Sequence, residues 1–191
     1  MSKKPAGIDA VFLDRDGVIN EELGYQHNHE DIRMIAGSAG AIRRLNELSI
    51  PVIVVSNQSG VARGYFPESH VGKFNDALSK ELKKEGAHID KFYYCPHHPE
   101  GKGNYKKDCD CRKPKPGLLF QAAKEMNIDL KRSVITGDKA SDIGAGVSVG
   151  SKTVLVMTGY GKKEWSTWNK QYKPNHVALD LSEAVKWLLA S

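Results

Sequence analysis

Six short apolar runs, separated by segments of helical period, constrain this chain more than any other feature. Residues 10–13 (AVFL), 51–57 (PVIVVSN), 91–95 (KFYYC), 133–138 (SVITGD), 152–157 (KTVLVM) and 176–180 (HVALD) have strand length and little polar alternation. A strand without alternation is covered on both faces, as in a parallel sheet packed between helices. The intervening segments agree. Residues 37–48 carry apolar side chains at 39, 42, 45 and 48; Pro67 opens a helix to about Lys84; Pro116 stands in the first turn of a helix reaching Met126. A short helix begins near Ser141, and a last one spans Ser182 to Leu189. This order predicts an α/β fold of three layers with a parallel sheet. The 191 residues suit a single domain, 1–191. No interval between the runs is long enough for a separate cap domain, so the expected site is open.

Charge and hydropathy exclude little. The net charge of +5 is spread along the chain and forms no basic tail. It suits a phosphorylated small molecule as well as a nucleic acid. No apolar run reaches the roughly 18 residues of a membrane-spanning helix. The lysines near the N-terminus precede an apolar stretch too short for a secretion signal. The expectation is a cytoplasmic protein without membrane contact, and a monomer, since nothing demands a partner.

In parallel sheets a site forms outside the carboxyl ends of the strands. The first run ends in FLDRDGVIN (12–20), with Asp14 and Asp16 one residue apart. Two neighbouring carboxylates raise each other's proton affinity unless a cation lies between them. Mg²⁺ suits them: hard, oxygen-seeking, content with few carboxylates and a substrate phosphate. Asp138, closing the fourth run, supplies a further carboxylate, and Asp142 stands one helical turn later to support the site. Asp is also a nucleophile toward phosphorus, and a second Asp can move the proton. The hydroxyl of Ser56 and a lysine, Lys113 or Lys139, would stabilise the phosphoryl oxygens.

FLDRDGVIN, VVSNQSG, RKPKPG and GDKASD, in that order, resemble the four motifs of the haloacid dehalogenase (HAD) superfamily of phosphatases. The resemblance implies a HAD-like, Rossmannoid fold. It implies Asp14 as nucleophile, Asp16 as general acid and base, Ser56 as the motif-two hydroxyl and Lys113 as the motif-three cation. It further implies Mg²⁺ held by Asp14, Asp138 and the backbone carbonyl of Asp16.

The three cysteines, Cys95, Cys109 and Cys111, crowd into CPHHPEGKGNYKKDCDC (95–111). An odd number in one short segment favours metal over disulfides. Three thiolates and one imidazole satisfy tetrahedral Zn²⁺, with His97 and His98 both available as the fourth ligand. The Gly- and Lys-rich loop between them cannot bury a core of its own, and a zinc-binding loop insertion would order it. Within the superfamily, this segment is similar to the bacterial heptose bisphosphate phosphatases, a resemblance that extends through NEELGYQH (20–27), SNQSGVARG (56–64) and GDK (137–139). It implies Cys95, His97, Cys109 and Cys111 as zinc ligands and a small sugar bisphosphate as substrate. Glu22, Leu23, Gly24 and Tyr25, and Ser56, Asn57, Gln58 and Ser59, match substrate-contacting loops of that family. Arg112 offers a two-pronged donor for a second phosphate, helped by Lys139 or Arg63.

Other features have plainer readings. His27 and His29 read as solvated loop residues, Trp165 and Trp168 as cover for a local apolar patch in an irregular segment, and KELKKE (80–85) as a wet helix face. Three rival functions remain: a histidinol-phosphate phosphatase, a DNA 3′-phosphatase of the same superfamily, and a receiver domain.

Overall fold

A computed structural model describes residues 7–25, 28, 30, 32–168 and 171–190. The elements run β1 (Val11–Leu13), α1 (Ser38–Glu47), β2 (Val52–Asn57), α2 (Ser59–Arg63), α3 (Ser69–Lys84), β3 (Lys91–Cys95), α4 (Gly117–Met126), β4 (Val134–Gly137), α5 (Ala140–Ser148), β5 (Lys152–Val156), α6 (Gly161–Ser166), β6 (His176–Ala178) and α7 (Leu181–Ala190). The strands form one sheet in the order β3-β2-β1-β4-β5-β6, and every neighbouring pair is parallel.

Continuous apolar strands were expected to be covered on both faces, and they are. Successive residues of β1 point to opposite sides. Val11 and Leu13 join Val52, Val54, Val134 and Val154 against Ile42 and Leu45 of α1, Leu78 and Leu82 of α3, and Val185 and Leu188 of α7. Phe12, in register with Ile53 and Ile135, packs with them against Leu118, Leu119 and Ala122 of α4 and Ala145 of α5. The result is three layers, helix on sheet on helix. Burying each such side chain stabilises by about 1.5–3 kcal/mol. The helix α3 ends where Gly86 takes φ 71° and the N–H groups of Gly86 and Ala87 return to Lys83 and Leu82 carbonyls, a closure that a residue with a Cβ resists.

All six strands lie within the expected runs, and two short helices were not anticipated. The motif SNQSG was expected as loop, yet Ser59 opens α2; residues 160–175 were expected as irregular, yet they contain α6. Five and six residues are too few to show a helical period. Trp165 is about half exposed and its ring lies 5.9 Å from that of Trp168, so only part of it covers anything. His27 and His29 lie outside the described residues. Among those residues, no helix is long and apolar enough to cross a membrane.

Candidate active site

The strand β1 sits at the point where the chain's connections diverge to the two halves of the sheet. The carboxyl ends of β1 and β4 therefore border a crevice. Asp14 follows β1, and its N–H donates to the Thr136 carbonyl of β4 at 2.9 Å. Asp138 follows β4, and Asp142 lies in the first turn of α5. Carboxylate oxygens of Asp14, Asp138 and Asp142 lie within 4.8 Å of one another, and all three residues are buried.

One buried lysine binds this cluster together. Lys113 Nζ lies 3.1 Å from Asp14 Oδ1 and 2.6 Å from Asp142 Oδ1, and it donates to the Val55 carbonyl. Burial works against the Lys113 charge, but Asp14 and Asp142 outweigh it and hold the ammonium above its ordinary range. Asp142 was expected only to support the site. It belongs to the acid cluster itself, as the partner of Lys113, while its Oδ2 accepts the Lys139 N–H at 3.0 Å and so caps α5.

Asp138 is the strained member. Burial, joined by the charges of Asp14 and Asp142, pushes its carboxyl up to about 8 against the pull of Lys139. Its Oδ2 accepts the Tyr160 N–H at 2.8 Å, but among the described residues its buried Oδ1 has no hydrogen-bond donor, only the Lys139 Nζ at 3.8 Å. A buried carboxylate oxygen without a donor, among like charges, fits a hard divalent cation. Gly17 (φ 86°) and Gly159 (φ 53°) press against it, and a Cβ on either would come within 2.2 Å of Asp138 Oδ2. The sequence motif thus needs its glycine both for the turn and for the approach.

The Asp16 carboxylate is turned away from that cluster. Arg15 Nε and Nη2 donate to its two oxygens at 3.1 and 2.9 Å. Asn20 Nδ2 and Gln58 Nε2 add donations at 2.9 and 3.1 Å. Burial pushes Asp16 up, yet the Arg15 charge and these hydrogen bonds prevail and hold it below the usual carboxylate range. Gln58 Nε2 also donates to Ser56 Oγ at 2.6 Å, tying the second motif to the first.

A cleft of about 350 Å³ opens above these groups. It is lined by Asp16 and Lys113 and by eight of the expected contact residues: Glu22, Gly24, Tyr25, Asn57, Gln58, Ser59, Arg112 and Lys139. Asp14 and Ser56 are buried and meet it through Lys113 and Gln58. Two expected contacts are elsewhere. Leu23 lines a separate hollow with Glu21, Ile35 and Thr158. Arg63 Nη2 sits 3.4 Å from His98 Nε2 and 3.5 Å from Glu100 Oε2, since α2 turns it toward the cysteine loop. Asn57 uses its amide on the backbone: Nδ2 donates to the Lys113 carbonyl and Oδ1 accepts the Lys113 N–H, both at 3.0 Å. Lys139 Nζ lies 3.1 Å from Glu22 Oε2 and 4.6 Å from the Tyr160 ring centroid. Burial opposes the Lys139 charge, but Asp14, Asp138 and Glu22 raise it well above the ordinary lysine value. Gly60, Phe66, Ser141 and Tyr160 complete the walls. Sequence reasoning missed them because nothing local distinguishes them from other loop residues. Arg15 was missed too, although its place between two acids was a signal.

The cysteine segment closes into a compact cluster. Sγ atoms of Cys95, Cys109 and Cys111 are 2.9–3.4 Å apart, and His97 Nδ1 lies 3.3 Å from Cys111 Sγ. His98 is not part of it, because its Nδ1 accepts the Glu100 N–H. Burial pushes the Cys95 and Cys111 thiols up. At Cys109 burial is outweighed by hydrogen bonds from the other two thiols, which draw it down. Three sulfurs and one imidazole nitrogen converging on a point suit a tetrahedral thiophilic cation. Arg112, next in the chain, donates to the His97 carbonyl at 3.3 Å. The cluster thus fixes the approach of Arg112 and Lys113 to the cleft.

Known proteins carry the same architecture. A family model described as HAD-hydrolase-like matches residues 110–184. A D-glycero-beta-D-manno-heptose-1,7-bisphosphate 7-phosphatase of Pasteurella multocida is 44% identical over 180 residues, covering 94% of this chain and 97% of its own length. A D-glycero-D-manno-heptose-1,7-bisphosphate 7-phosphatase of Thermosynechococcus vestitus is 42% identical over 185 residues, covering 94% of each chain. The crystal structure of a D,D-heptose 1,7-bisphosphate phosphatase from B. bronchiseptica, complexed with magnesium and phosphate, superposes with a TM-score of 0.86 at 30% identity, over 96% of this chain and 99% of that one. With end-to-end likeness at this identity, and the acids, lysine and cysteine cluster assembled as described, the chain belongs to the D-glycero-D-manno-heptose-1,7-bisphosphate 7-phosphatase family of HAD-like hydrolases.

Proposed function

We propose that the protein hydrolyses the 7-phosphate of D-glycero-D-manno-heptose 1,7-bisphosphate, in the cytoplasm, as a step toward the heptose of lipopolysaccharide core. The observation that carries this is the buried Asp14–Lys113 pair, 3.1 Å apart, at the foot of a cleft that also presents Asp16 and Arg112. Asp14 attacks phosphorus, the bond to the C7 oxygen breaks, and Asp16 gives that oxygen its proton; because Arg15, Asn20 and Gln58 favour the Asp16 carboxylate, this step draws on its minor, protonated form. Asp16 then takes a proton from the water that attacks the aspartyl-phosphate, releasing phosphate and restoring Asp14. Lys113 and the Ser56 hydroxyl balance charge on the phosphoryl oxygens. Mg²⁺, held by Asp14, Asp138 and the Asp16 backbone carbonyl, would offset the repulsion between carboxylate and phosphate. Zn²⁺, held by Cys95, His97, Cys109 and Cys111, would order the loop that delivers Arg112, whose guanidinium suits the second phosphate.

Phosphate release from a panel decides the matter: heptose 1,7-bisphosphate, heptose 1-phosphate, histidinol phosphate and 3′-phosphorylated DNA. The heptose bisphosphate is expected to turn over fastest and the 1-phosphate to resist. Faster turnover of histidinol phosphate or of DNA ends would overturn the assignment.

A further inference from the structure

Arg15 is the largest fully buried side chain among the described residues, and it does not line the cleft. In a protein built to hold phosphates, a guanidinium hidden from the substrate needs a reason. Three sides of it are occupied. Nε and Nη2 engage both oxygens of Asp16, Nη1 donates to Asn75 Oδ1 at 2.9 Å, and the guanidinium carbon lies 4.1 Å from the Phe74 ring centroid. Phe74 and Asn75 are themselves buried in α3. The plainer explanation is that Arg15 merely neutralises a neighbouring acid. Neutralisation alone requires no fork, no buried amide on the far side and no ring against the flat face. Those contacts fix an orientation, and a planar fork transmits orientation to the carboxylate it grips.

The geometry points to Arg15 as the positioning residue for Asp16, anchored by Phe74 and Asn75 of α3, so that helix packing sets where the proton donor stands. This rests on Asp16 being the proton donor of the reaction above. A proton must reach an alkoxide leaving group as its bond to phosphorus breaks, and misplacing the donor slows only that transfer. A p-nitrophenolate leaves without a proton.

The value of kcat/KM reports the steps through departure of the leaving group, so it separates the two cases. It is measured on the alkyl phosphate the enzyme turns over best and on p-nitrophenyl phosphate. Asp16→Ala serves as reference and is expected to lose about 10²-fold or more on the alkyl ester, with a far smaller loss on the aryl ester. Arg15→Met and Asn75→Ala are expected to follow the same pattern, with at least about a tenfold loss confined to the alkyl ester. Arg15→Lys, which keeps the charge without the fork, should not rescue. Removing Arg15 strands a part-buried carboxylate and lowers stability, so Asn75→Ala, which keeps the ion pair, is the deciding variant, with its melting curve as the check on folding. Equal losses on both esters, no loss in Asn75→Ala, or full activity in Arg15→Lys would overturn the proposal. Should Asp16→Ala itself not discriminate between the esters, the proton-donor reading falls first.

Discussion

At the scale of single residues, Asp138 shows how the site stores a demand for a cation. Its carboxyl binds a proton more tightly in the folded state, at about 8, than in the unfolded chain, at the ordinary 3.8. Its contribution to stability is therefore full below about pH 4 and is lost as pH rises through about 8. Cation-free protein should melt at progressively lower temperature between about pH 6 and pH 8, and Mg²⁺ should flatten that slope by taking the place of the proton. A melting series that shows the same slope with and without Mg²⁺ would refute this. Gly159 makes a sharper test, because alanine there combines a strained φ with a Cβ driven onto Asp138 Oδ2. Gly159→Ala should weaken Mg²⁺ activation by about tenfold or more, read from the Mg²⁺ dependence of the rate. Asp14→Asn should abolish turnover while leaving the fold intact, since it relieves repulsion among the three acids. In the unmodified enzyme, two successive displacements should carry a chirally labelled phosphoryl group to water with retention of configuration at phosphorus; inversion would remove the covalent step.

At the scale of elements, the decisive piece is the segment between β3 and α4, which packs on the rest through little more than Tyr105, set against Val61, Phe66 and Val71, and its cysteines. Its backbone bonds mostly to itself, as in the His98 N–H to the Tyr105 carbonyl at 3.1 Å, and reaches α2 through the Lys102 N–H to the Ala62 carbonyl at 2.7 Å. The Cys/His cluster stands at both ends of this loop, and Arg112 and Lys113 follow Cys111 directly. Cys109→Ser, or treatment with a strong zinc chelator, should open the loop to proteolysis between residues 99 and 108. It should also cost about 10- to 100-fold in kcat/KM, because Lys113 loses its fixed approach to Asp14. A loop cut at the same rate in both forms would show that the metal is not what orders it. Asn57, by clasping the Lys113 backbone from β2, supplies the second restraint.

At the scale of the whole molecule, both faces of the sheet are buried and β1 lies at its centre. We expect one cooperative unit. Phe12, fully buried in register with Ile53 and Ile135, is the place to test it. Phe12→Ala should lower stability by about 3–5 kcal/mol, a large part of the roughly 5–15 kcal/mol typical of such folds. Secondary structure and activity should be lost in a single coincident transition. Separate transitions would instead divide the chain into independent parts. The strand order also explains why four motifs far apart in the chain meet. Each closes or follows a strand at one edge of the sheet, and the order β3-β2-β1-β4 sets those edges side by side.

Much of this was legible in the chain itself. Continuous apolar runs predicted the parallel sheet because burial on both faces is a property each strand carries alone. Acids, a hydroxyl and a glycine at strand ends predicted a cation and phosphate site because the ends of parallel strands converge. The packed molecule decided which way the side chains face. It turned His97 and not His98 into the sulfur cluster, sent Leu23 and Arg63 away from the cleft, and joined Asp142 to Lys113. It also set Asn75 against Arg15 across 60 positions of sequence. Such choices depend on sheet register and helix packing between distant segments, and no local spacing encodes them.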